Sequence, residues 1–118
     1  MITLFCVLEG EPLDNAIPID ISDDKTIGYL RDLIKERRFI LRGVDAADLS
    51  LYRVSIPAED QDALRDASRE IAQGKNPRLG PWNVVGKVFP NPPAERCHVM
   101  VKYPCKFTFQ GIHNFILG

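Results

Sequence analysis

The sequence predicts an α+β fold: a mixed sheet of four to five strands carrying one main helix and a second short helix. Three observations predict it. The two most apolar runs, residues 2–8 and 97–103, lie near opposite ends of the chain and have the composition of strands buried on both faces. Between them stand two shorter stretches with a period of two and two with the helical period. Finally, 118 residues that are 45% hydrophobic and 26% charged suit one domain long enough to bury its own core.

Residues 2–8 (ITLFCVL) are all β-favouring and meet the turn signal Gly10-Glu11-Pro12, which makes them the first strand. In the next stretch Ile17, Ile19 and Ile21 alternate with Pro18, Asp20 and Ser22, as in a half-buried strand. Pro18 has no amide hydrogen to donate, so this strand belongs at a sheet edge or turns that nitrogen outward. Thr26 is placed to cap a helix over residues 27–38. Ile27, Leu30 and Ile34, with Leu33, form its buried stripe, while Lys35, Arg37 and Arg38 crowd the negative end of its dipole.

Residues 48–56 (DLSLYRVSI) form a third strand that faces Leu49 and Leu51 inward and stops at Pro57. Leu64, Ala67, Ser68 and Ile71 then recur at helical spacing before Gly74, a natural stop, giving a second, shallowly packed helix. Lys75 to Pro93 holds Pro77, Pro81, Pro90, Pro92 and Pro93 together with Trp82, Val85, Val88 and Phe89. It reads as an ordered crossing loop pinned by those four apolar anchors. Residues 97–103 are the last strand, closed by Pro104. The β-β-α-β-α-loop-β order matches a ubiquitin-like β-grasp roll, in which the first and last strands are central and parallel. The domain is expected to span residues 1–104. Residues 105–118 form an apolar tail, an extra strand or dimerisation segment.

Charge and composition remove several function classes. Fifteen Lys plus Arg against sixteen Asp plus Glu leave a net charge of −1, which excludes a basic nucleic-acid interface. The distribution is polar, however: Glu9, Glu11, Asp14, Asp20, Asp23 and Asp24 face only Lys25 in the first thirty residues. The apolar start has no Lys or Arg before it and meets Glu9 at once, so it is not a signal peptide, and no run is long enough to span a membrane. Cys6, Cys97 and Cys105 are an odd number without metal-ligand spacing, so they read as reduced thiols with no metal site and no disulfide framework. The glycines are scattered and form no phosphate loop. Cys97 and His98 are strand neighbours that point to opposite faces and cannot form a dyad. No base or orienting group stands near Cys105 and His113. The chain is therefore read as non-enzymatic, with no catalytic residue and no cofactor.

Four motifs in order then resemble the N-terminal header domain of Crinkler proteins, an effector family of oomycetes and fungi. Ile2, Leu4, Phe5, Cys6, Val7 and Leu8 stand where that family carries its LxLFLAK-type translocation motif, with Leu8 in place of the terminal lysine. Asp45 to Val54 resembles the second conserved segment, with Tyr52 where a tryptophan is usual. Val88-Phe89-Pro90-Asn91-Pro92-Pro93 resembles an IFPxPP stretch, and His98, Val99, Met100, Val101 and Pro104 resemble the HVLVxxP motif that closes the family's N-terminal domain.

The resemblance implies a secreted, non-catalytic domain that serves trafficking or delivery to host cells, by a route without a signal peptide and with the nucleus as a candidate destination. It further implies contacts with host proteins or other Crinkler-type proteins. The alternative is a cytoplasmic ubiquitin-like adaptor or a heterodimerisation partner of longer Crinkler proteins. Conjugation is disfavoured, because the chain ends Phe115-Ile116-Leu117-Gly118 without a Gly-Gly terminus. Phe107, Phe109, Ile112, Phe115, Ile116 and Leu117 together are the candidate self-association residues, for a homodimer or a heterodimer.

Overall fold

The computed structural model describes residues 1–104; residues 105–118, with the six candidate self-association side chains, lie outside the described residues. The elements are β1 (Ile2–Leu8), β2 (Ile17–Ile21), α1 (Ile27–Arg37), β3 (Ser50–Pro57), α2 (Gln61–Ala72), α3 (Val85–Val88) and β4 (Arg96–Lys102). The strands form one sheet in the order β2-β1-β4-β3. β1 runs parallel to β4, and the two outer pairs are antiparallel. The two most apolar strands are thus central, as their composition requires, in a β-grasp-like roll. No helix among the described residues is long and apolar enough to cross a membrane.

Alternation along β1 sends Leu4, Cys6 and Leu8 to one face, where they meet Ile27, Leu30 and Ile34 of α1 and Val99 and Val101 of β4. Thr26 caps α1, its hydroxyl oxygen accepting from the Tyr29 amide at 3.2 Å. The helix stops one residue before the expected end because Arg38 leaves it at φ −123 and makes a two-pronged bond to Glu11, at 2.7 and 2.6 Å. β2 is an edge strand, as Pro18 demands, and the outward Pro18 carbonyl accepts from Arg37 at 3.0 Å. Strand β3 begins at Ser50; Leu49, although fully buried, is the extended residue that caps the preceding 3-10 turn, Ala46–Asp48.

The opposite face of the sheet is covered by α2. Val7, Ile56, Cys97 and Met100 pack there with Leu13 and with Ile71, the one buried residue of α2. The helix is shallowly packed, as its stripe indicates, yet at twelve residues it is longer than the eleven of α1 rather than short. Asp60 caps it by accepting from the Ala63 amide, two i,i+3 pairs support its outer side, and Gly74 ends it at φ +76.

The crossing loop is ordered by main-chain bonds. Leu79 donates to the Leu51 carbonyl and the Asn76 side chain to that of Arg53, which covers the free edge of β3. The loop then satisfies the first turn of α1: Asn83 and Pro81 offer their carbonyls to the amides of Ile27 and Gly28 at 2.8 and 2.9 Å. Val85 and Phe89 are buried anchors and Val88 is half-buried, as expected, within or next to the single turn α3. Trp82 is not an anchor. With the flanking carbonyls aimed at α1, its side chain points to solvent and is 77% exposed.

Candidate interaction surface

Among the described residues, His98 is the one polar side chain that is buried. Its Nδ1 accepts from the Phe5 amide at 3.0 Å, and its Nε2 lies 2.7 Å from the Pro93 carbonyl. An amide can only donate and a carbonyl only accept, so the ring carries its proton on Nε2. One imidazole therefore ties β1, the proline-rich strap of residues 90–95 and β4 together. With both nitrogens held by main chain, His98 has none left for proton transfer.

Cys97 takes no part with it. Its thiol lies 3.5 Å from the carbonyls of Phe5 and Val99, and burial pushes its pKa up from 9.0 to about 11. Burial also raises the Cys6 thiol, with the nearby Cys97 adding to the effect. Both are free cysteines that serve as small apolar residues. Because the unfolded chain releases these protons near pH 9 and the native state does not, their contribution to stability is present below pH 9 and is lost as pH rises toward about 11. Peptide-resolved alkylation at pH 8 should therefore leave Cys6 and Cys97 unmodified in the native protein and label both in denaturant. Rapid native labelling of either would contradict their placement.

Of the first motif, Leu4, Cys6, Val7 and Leu8 are buried, while Ile2 and Phe5 reach the surface in part. In the closing motif His98, Val99, Met100 and Val101 are buried and Pro104 is exposed. Two cavities lie around Phe5. A cavity of about 410 Å³ is bordered by Ile2, Thr3, Phe5, His98 and the strap. A second, of about 350 Å³, lies between Phe5, Leu13, Ala58, Glu59 and Cys97. Phe5 and Glu95 border both. In neither does the structure show a hydrogen-bonded pair of nucleophile and base. Leu13, Ala58, Glu59 and Glu95 escaped sequence reasoning, for no motif or periodicity marks them.

A family model for the Crinkler effector protein N-terminal domain matches residues 2–102. The chain belongs to this Crinkler family. It is similar to Crinkler effector protein 1 of Rhizophagus irregularis, 40% identical over 105 residues, which are 87% of this chain and 22% of that protein. The chain thus spans about a fifth of its relative's length. The expectation drawn from the four motifs holds at this level: the fold is that of a Crinkler N-terminal domain, and the protein is of the effector type. In this Crinkler domain the first, third and fourth motifs converge on the His98 ring.

Proposed function

We propose that this Crinkler domain is a non-catalytic delivery module that carries an effector to host cells and works there through protein-protein contacts. The observation that carries the reading is the convergence of three motifs on one buried imidazole beside an open surface, with no chemistry left on the ring. Secretion without a signal peptide and a nuclear destination follow from the family resemblance as parts of the same proposal. The test is a reporter fused after residue 118 and expressed in the native organism. Reporter in host cells, lost when the Crinkler domain is removed, supports the reading; equal delivery without the domain overturns it.

A second reading, as a heterodimerisation partner of longer Crinkler-type proteins or as a homodimer, is favoured by the six large apolar residues among positions 105–118. Sedimentation of the full chain at micromolar concentration should then give a dimer, and deletion of residues 105–118 a monomer. A monomeric full chain would defeat this reading.

A further inference from the structure

The cavity between Leu13 and Glu59 has an apolar floor and an acidic rim. Leu13 is buried, Phe5 and Ala16 are half-buried, and with the exposed Ala58 they form its apolar lining. Asp14, Glu59 and Glu95 stand around it, all exposed, and none of the three forms an ion pair among the described residues. Elsewhere in the fold Glu9 and Glu11 are matched by Lys102 and Arg38. The one cation lining the cavity, Arg96, directs its guanidinium to the Ser55 carbonyl and hydroxyl, at 3.4 and 3.1 Å.

Two glutamates are also held where long side chains rarely settle. Glu59 has φ +68 and Glu95 φ +59, and the Ala58 amide donates to the Glu95 carbonyl at 3.0 Å, which fixes the two turns side by side.

We propose that this cavity binds a basic segment of a partner protein. The methylene stem of an arginine or lysine lies on Leu13, Ala16 and Ala58, and its charge sits among Asp14, Glu59 and Glu95. Long cationic side chains divide in this way between an apolar surface and a charged rim, and the unpaired rim supplies the complementary field that selects them. At about 350 Å³ the cavity is at the small end of ligand-sized clefts, enough for one anchoring side chain. The proposal rests on the protein-contact reading above and names the chemistry of the contact.

The experiment is a titration of the ¹⁵N-labelled full chain with a blocked hexapeptide, Gly-Leu-Arg-Leu-Lys-Gly, and with a twin carrying glutamine for both basic residues. Amide shifts should move at Leu13, Ala16, Ala58, Glu59 and Glu95, and the twin should bind at least about tenfold more weakly, as should the basic peptide at high salt. Paired Glu59→Asn and Glu95→Asn substitutions remove charge where asparagine is well accommodated at positive φ. That variant should melt no lower than the parent and lose at least about tenfold in affinity. Shifts elsewhere, no shifts, or equal binding of the two peptides overturns the proposal. Delivery that persists without peptide binding removes this site and leaves the delivery role, whereas peptide binding without delivery removes the delivery role and leaves the site.

Discussion

His98→Ala should destabilise the domain by about 2–4 kcal/mol and lower its melting temperature by about 10 °C. The substitution leaves the Phe5 amide and the Pro93 carbonyl without partners and opens a hole in a site that is 4% exposed. An unpaired buried polar group costs roughly 1–3 kcal/mol and the lost packing adds to it. For a domain this size one kcal/mol moves the midpoint by roughly 4 °C. His98→Phe, which keeps ring volume but offers neither bond, should be nearly as damaging, and this separates hydrogen bonding from bulk. Hydrogen exchange gives the local signature: the Phe5 amide should be protected in the parent and fast in both variants. A Phe5 amide that exchanges freely in the parent, or a His98→Phe variant of parental stability, would show that the ring is not a tie.

The first motif should divide into core and surface by the size of the loss. Leu4 is fully buried against α1, so Leu4→Ala removes a well-packed side chain and should cost about 3–5 kcal/mol. That is a large share of the roughly 5–15 kcal/mol that holds a domain together. Phe5 is half-buried at the border of the two cavities, and Phe5→Ala should cost only about 1–2 kcal/mol. Urea unfolding of the two variants checks the order, and a Phe5→Ala loss as large as that of Leu4→Ala would refute it. The difference bears on any delivery assay. A Leu4 variant confounds recognition with a large loss of stability, while a Phe5 variant keeps most of its stability and asks whether the exposed part of the motif is recognised.

These placements also show what a sequence discloses. Central strands declare themselves locally, because a strand buried on both faces must be apolar over most of its length, as residues 2–8 and 97–103 are. Thr26 is equally plain, since capping depends on the three residues after it. Pro18 restricts its strand to an edge by chemistry alone. Trp82 misleads, because its exposure is decided by where the carbonyls of Pro81 and Asn83 point, toward a helix end more than fifty residues away in sequence. The stripe on α2 shows that the helix packs but not that it covers the second face of the sheet. The acidic cavity is the least visible feature: Glu59 and Glu95 are 36 positions apart, their turns joined by the bond from the Ala58 amide to the Glu95 carbonyl, and glutamate carries no hint of a positive φ.

The parallel pairing of β1 with β4 has a mechanical consequence. The first strand enters the sheet and the last leaves it at opposite ends, about 20 Å apart along seven residues. A pull on the two ends of the domain draws these strands past one another, so that their shared bonds are strained together rather than opened one at a time. The fold is a clamp against tension between its first and last strands, with Lys102 leaving the sheet at the end remote from Glu95. Tension applied between Met1 and Pro104 therefore loads this shared ladder as a whole before either strand can peel away.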